Sequence, residues 1–167
     1  TGSHVITNDI LNLFGGQNIA VTAKYDSSKL VEGELGVGWY HNYEKYLLFS
    51  DIEVLAYENP STYCTYVDLD QNGIFDCATL GRNGYKLTIT SDPNYNYIID
   101  CNGEKKEYYD RNGKLSKIED RNGFITLISR TDNKTTITDS VTGKHLYIEY
   151  GTDGKVTKVY DDAEREV

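Results

Sequence analysis

Two stretches of strict alternation frame the chain. Ile19, Val21, Ala23 and Tyr25 alternate with Ala20, Thr22 and Lys24, and further on Leu146, Ile148 and Tyr150 alternate with His145, Tyr147 and Glu149. A period of two places each apolar set on one face of a half-buried strand. Shorter runs of branched and aromatic residues predict more strands over Val5–Leu13, Tyr40–Leu48, Ile52–Tyr57, Tyr63–Leu69, Ile74–Leu80, Tyr85–Thr90, Tyr95–Asp100, Lys105–Tyr109, Lys114–Glu119, Phe124–Arg130, Thr135–Thr138 and Val156–Tyr160. The glycines make Glu32–Val37 a loop, and Asp161–Glu166 reads as a frayed end. Pro60 and Pro93 fall at breaks, where a missing N–H costs no ladder bond. Helical periodicity is nearly absent, so the expected fold is all-β.

What separates the strands is a recurring phrase. Asp70-Gln71-Asn72-Gly73, Asp100-Cys101-Asn102-Gly103, Asp110-Arg111-Asn112-Gly113 and Asp120-Arg121-Asn122-Gly123 share it, and Gly81-Arg82-Asn83-Gly84 is a near copy. Its residue types suit a type I turn closed by a left-handed glycine, with the aspartate accepting a backbone N–H. The tips at Asp100, Asp110 and Asp120 are ten residues apart, which predicts a meander of short antiparallel hairpins forming an extended or curved sheet.

A longer unit also repeats. Gly113-Lys114-Leu115-Ser116-Lys117-Ile118-Glu119-Asp120 returns as Gly154-Lys155-Val156-Thr157-Lys158-Val159-Tyr160-Asp161. In an ideal strand Leu115 and Ile118 face opposite sides, so either both faces are covered or a bulge re-phases the strand.

Tyr109-Asp110-Arg111-Asn112-Gly113-Lys114-Leu115 resembles the Y-D-x-x-G-[R/K]-L phrase of Rhs/YD-repeat proteins, and Tyr150-Gly151-Thr152-Asp153-Gly154-Lys155-Val156 is a variant without the aspartate. Upstream, Tyr25-Asp26-Ser27-Ser28 followed by Gly33-Glu34-Leu35-Gly36-Val37-Gly38-Trp39-Tyr40-His41-Asn42-Tyr43-Glu44 is similar to the segment that opens the repeat region in that family. The resemblance runs from about Thr1 to Asp161 and is weakest between Ser50 and Ser91. It implies an opening or capping segment over residues 1–92 and the first hairpin repeats over 93–167, in one continuous sheet system. It further implies a secreted or surface-exposed, cell-wall-associated protein whose β-shell encloses a downstream toxin. The partner it implies is the remainder of the same longer polypeptide.

Composition narrows the range of partners. The chain has no methionine and is expected to be part of something longer; Thr1–His4 reads either as native or as an expression scar. It has neither a secretory leader pattern nor an apolar run long enough to cross a membrane as a helix, so secretion rests on the resemblance. The net charge is −9, and residues 1–100 carry most of it, with thirteen Asp/Glu against five Lys/Arg. Nucleic acid and anionic membranes are therefore not expected partners, because binding them requires Lys and Arg to displace counterions. Cys64, Cys77 and Cys101 are too few for a disulfide framework. Cys64 and Cys77 flank the Asp70 tip, leaving a cross-hairpin bridge and buried free thiols as the alternatives.

Candidate chemistry is sparse. Fifteen tyrosines suit cross-strand packing and also the stacking of sugars; Trp39, Tyr40 and Tyr43 are the candidate binding residues, for a cell-wall glycan. Trp39, between turning glycines, is alternatively an edge cap. Asp68, Asp70 and Asn72, with Gly73 and then Asp76, copy the first half of a calcium loop but lack its final glutamate, Thr79 standing there instead. Those four oxygen-bearing residues are the candidate metal ligands, with calcium the only cofactor considered. His4, His41 and His145 are scattered, and no nucleophile or phosphate-binding motif is present. The expected role is non-catalytic.

Overall fold

A computed structural model describes residues 4–14, 18–50 and 52–167. The described residues form strands, turns and no helix. The first five strands are β1 (Val5–Leu13), β2 (Ile19–Asp26), β3 (Glu32–Gly33), β4 (Gly36–Val37) and β5 (Trp39–His41). Eight follow: β6 (Tyr46–Phe49), β7 (Glu53–Asn59), β8 (Thr62–Val67), β9 (Ile74–Cys77), β10 (Tyr85–Ile89), β11 (Tyr97–Cys101), β12 (Lys105–Tyr109) and β13 (Leu115–Asp120). The last four are β14 (Ile125–Thr131), β15 (Lys134–Asp139), β16 (His145–Tyr150) and β17 (Val156–Asp161). The fold is an all-β antiparallel meander, as the alternation predicts.

The strands group into two compact units that are discontinuous in sequence: unit 1 is 1–44, 59–61 and 125–167, and unit 2 is 45–58 and 62–124. The segment Ser91–Asn94, which spans the expected division between residues 92 and 93, lies inside unit 2. There it links β10 to β11, which pair in register from Tyr85↔Cys101 to Ile89↔Tyr97. The predicted strand Tyr40–Leu48 is likewise broken, into β5 and β6, because residues 42–45 turn.

In unit 1 a three-stranded sheet, β1-β2-β5, packs on the four-stranded meander β14-β15-β16-β17, with β2 over β15 and β16. Ile19, Val21 and Ala23 meet Ile137, Leu146, Ile148 and Val159 in the core, all buried. Each large aliphatic side chain there contributes about 1.5–3 kcal/mol by leaving water. Two predicted irregular segments are ordered. Within 32–37, β3 and β4 form a small ladder, and after β17 the chain turns so that Glu166 bridges Tyr160.

In unit 2 the strands β6 to β13 lie side by side in chain order. The sheet curls until Tyr46 bridges Lys114, and the Leu47 N–H donates to the Gly113 carbonyl at 2.8 Å. This closure requires Gly113. Its φ is +75°, and a Cβ would sit 2.6 Å from the Leu47 carbonyl oxygen. An eight-stranded closure leaves an interior that side chains can fill; here Leu47, Tyr66, Leu87, Tyr109 and Leu115 fill it, each at most 2% exposed.

The repeated phrase folds in more than one way. At Asp110 and Asp120 the expected turn forms: the aspartate Oδ1 accepts two backbone N–H groups, its carbonyl accepts the glycine N–H, and Gly113 and Gly123 have positive φ. At Asp100 the turn is shifted by one residue. Asn102 and Gly103 both take positive φ and the Glu104 N–H donates to Cys101, a two-residue type I′ loop. The parity problem is resolved by bulges. Register shifts place Leu115 opposite Tyr109 and Ile118 opposite Glu107, and place Val156 opposite Tyr150 and Val159 opposite Ile148. The branched pair of each copy therefore shares one face.

Candidate functional site

The segment 33–44 in unit 1 folds around its own side chains. Asn42 extends the edge of β2 with its amide: Nδ2 donates to the Ala20 carbonyl at 3.0 Å, and Oδ1 accepts the Thr22 N–H at 2.9 Å. Gly38 has a φ of +76° and sits against the Tyr25 ring, which packs on Trp39 with centroids 5.1 Å apart. Glu44 then closes the loop. One carboxylate oxygen accepts the Glu34 N–H at 2.5 Å and the other the His41 N–H at 2.9 Å.

His41, 1% exposed, is fixed by both ring nitrogens. Nδ1 accepts the Tyr43 N–H at 3.2 Å, so the ring proton is on Nε2 and is donated to Glu34 Oε2 at 2.7 Å. The two carboxyls are pushed in opposite directions. Burial raises the pKa of Glu44. Burial also acts upward on Glu34, but the hydrogen bond from His41, assisted by Tyr150 and Arg130, brings it below the usual range. Because both Glu44 oxygens are spent on backbone N–H groups, the arrangement acts as a clasp.

Unit 2 holds a second charged cluster. Glu107 is 5% exposed; its Oε1 accepts Lys45 Nζ and Lys105 Nζ at 2.6 Å each, and its Oε2 accepts the Tyr109 hydroxyl at 2.8 Å. Burial opposes ionisation, but the two ammonium groups prevail and hold this carboxyl down to about 2. A cavity of about 30 Å³ adjoins it, lined in part by Cys64, Tyr66, Cys101 and Arg82. That is room for about one water and far below the few hundred Å³ of a small-molecule pocket. All three cysteines are free thiols. Burial pushes Cys64 up to about 11 and Cys101 up to about 12, away from the thiolate form that reacts.

The residues marked out by sequence are dispersed. Tyr43 is buried at 4% exposure, which takes it off any binding surface. Trp39 and Tyr40 are half-buried on β5, the edge strand of its sheet. The Asp68 carboxylate accepts the N–H groups of Asn72 and Gly73 at 3.1 and 2.9 Å, Asn72 Nδ2 donates to Asp70 at 2.8 Å, and Asp76 faces Lys86 at 3.5 Å. These contacts make the first three a self-contained turn. Sequence reasoning passed over Glu34 and Glu44, although both lie in the quoted motif. It also passed over Lys105 and Glu107, whose signal is two charges in register with Tyr109 on the inward face of an alternating strand. Neither the family models nor the curated protein sequences compared with this chain gave a match.

Proposed function

We propose that this chain is a non-catalytic scaffold: the opening segment and first repeats of a secreted or surface-displayed YD-type protein, nucleating a β-shell that the remainder of its own polypeptide extends around a downstream toxin. The observation that carries this reading is the saturation of its buried ionisable groups. Both oxygens of Glu44 are taken by backbone N–H groups, and both oxygens of Glu107 by Lys45, Lys105 and Tyr109. Groups so engaged hold a fold together and are not themselves available as base or nucleophile.

The test compares the intact chain with its Glu34→Gln and Glu44→Gln variants. A scaffold shows weaker cooperative unfolding in the Glu44 variant and no turnover of a glycoside panel in any of the three. Turnover abolished by Glu34→Gln in a protein that still folds overturns the reading.

A carbohydrate-binding module is the second reading, favoured by one feature: Tyr63 is 49% exposed beside Tyr57, centroids 5.1 Å apart, and Tyr57 stacks on Tyr46 at 4.6 Å. Saturable binding to cell-wall polysaccharide, lost on Tyr63→Ala, selects this reading over the scaffold.

A further inference from the structure

We propose that Asn83 is a structure-selected deamidation site, the one Asn-Gly pair of five that the fold leaves free to react with water. The pairs are Asn72-Gly73, Asn83-Gly84, Asn102-Gly103, Asn112-Gly113 and Asn122-Gly123, and three of them sit in the identical tripeptide Arg-Asn-Gly. Local sequence therefore cannot distinguish Asn83 from Asn112 or Asn122.

The reaction begins when the glycine nitrogen gives up its proton to solvent and attacks the asparagine Cγ. The Cγ–Nδ2 bond breaks, ammonia leaves, and a five-membered succinimide forms. Water then opens either imide C–N bond, giving aspartate or its β-linked isomer. The net change consumes one water and releases one ammonia, with no oxidation or reduction. Two conditions follow: the glycine N–H must be available, and the backbone must be able to rotate it toward the side chain.

Four of the five glycine N–H groups are already committed. Gly73 donates to Asp68 Oδ2 at 2.9 Å and Gly103 to Asp100 Oδ1 at 2.7 Å. Gly113 and Gly123 donate to the carbonyls of Asp110 and Asp120, both at 3.0 Å. Two of the asparagine side chains are held as well: Asn72 between Asp70 and the Ile74 N–H, and Asn122 by Asp120. Among the described residues, Gly84 is the only Asn-Gly nitrogen without a hydrogen bond. Its turn is held by Arg82 N–H to Thr79 and by Tyr85 N–H to Arg82, the second closing around Asn83 and Gly84 while leaving the Gly84 N–H itself without an acceptor. Asn83 and Gly84 are both exposed to water.

The product adds a carboxylate beside Arg82, whose guanidinium pairs with Glu58 at 2.6 Å and lies 5.1 Å over the Tyr85 ring. Deamidation at this tip therefore sets a new negative charge against an ion pair that lines the unit 2 cavity.

The experiment ages the folded chain in mildly alkaline buffer, digests it and follows the amide-to-acid mass shift in each Asn-Gly peptide, with a parallel sample in urea. Asn83 should convert about tenfold faster than Asn112 and Asn122 in the folded protein, the rate equivalent of the turn hydrogen bond that must open at those tips. In urea the three Arg-Asn-Gly peptides should converge. Asn83→Gln should remove the earliest acidic variant, since glutamine closes a larger ring more slowly. Conversion of Asn112 or Asn122 as fast as Asn83 in the folded chain overturns the proposal, as does a difference between them that persists in urea.

Discussion

Unit 1 meets its buried Glu44 with backbone N–H groups, whereas unit 2 meets its buried Glu107 with two ammonium groups. Both carboxyls have their oxygens occupied, yet their acidities move apart: Glu44 is raised, first by burial, and Glu107 is held down to about 2. Dipoles satisfy hydrogen-bonding geometry but supply too little charge to offset desolvation fully; paired cations supply enough. A clasp made from dipoles tolerates protonation, whereas a cluster made from charges depends on ionisation.

The sharpest way to break this contrast is Glu107→Ala. It strands Lys45, whose side chain is 15% exposed, and leaves Lys105 and the Tyr109 hydroxyl without their acceptor. Removing one partner of a buried ionic group costs about 3–5 kcal/mol. Urea unfolding followed by tyrosine fluorescence should show a loss of that size. A loss under about 1 kcal/mol, the range of an exposed pair, would mean that water reaches the cluster.

Acid sharpens the contrast from the other side. Glu107 titrates from 4.5 in the unfolded chain to about 2 in the fold, so its contribution is complete above the unfolded value and is lost as pH falls through that window. At about 1.4 kcal/mol per pKa unit it amounts to about 3 kcal/mol. Glu44 has the opposite sign. Its folded pKa lies above the unfolded value, so its contribution is present at low pH and is lost as pH rises through the folded pKa. Glu34 and several turn aspartates also have lowered pKa values and add to the acid fall, so stability measured against pH should show a shallower acid fall in Glu107→Gln and the full one in Glu44→Gln. Parallel profiles for the two variants would show that the two carboxyls share one environment.

Glu44→Ala comes next in size. Two N–H groups in the loop lose their acceptor, and one of them belongs to the buried His41. Leaving such donors unsatisfied costs about 2 kcal/mol. The loss should appear in hydrogen exchange at the Glu34 and His41 amides before it appears globally. Unchanged protection at those two amides would show that Glu44 does not hold the loop closed.

These elements were not equally legible in the sequence. Strand alternation found β2 and β16 because Val21, Leu146 and Ile148 are buried with a clean period of two. The tips at Asp110 and Asp120 were readable because one aspartate supplies every acceptor the turn needs. The same phrase misled at Asp100, where the turn residues are Asn102 and Gly103 and the aspartate accepts only a single N–H in the turn. Hairpin pairing, settled by the strands on either side, outweighs the tetrapeptide there. The break at 42–45 was hidden, because Tyr40–Leu48 is apolar enough for one strand and only the long-range Asn42 contacts to β2 reveal the turn. The Glu107 cluster was only half legible: Lys105, Glu107 and Tyr109 share one face of a strand, but Lys45 is separated from them by most of unit 2.

The smallest expected effect comes from setting one turn of unit 1 beside two turns of unit 2. In unit 2, Asp110 and Asp120 are each followed three residues later by a glycine with positive φ. In unit 1, Asp161 makes the same bonds, with its Oδ1 accepting the Ala163 and Arg165 N–H groups and its carbonyl the Glu164 N–H, but the left-handed position is held by Glu164 at a φ of +59°. A side chain in that region costs about 1 kcal/mol that glycine does not incur. The substitution also raises the entropy of the unfolded chain and so offsets part of the gain. Glu164→Gly should therefore stabilise the protein by about 0.5 kcal/mol, read as a small upward shift in the urea midpoint at unchanged slope. The Asp161–Arg165 ion pair does not involve Glu164 and should persist in the variant. A destabilised variant would show that Glu164 contributes a contact outweighing its backbone strain, and the Asp161 turn would then differ from those at Asp110 and Asp120 in more than its left-handed residue.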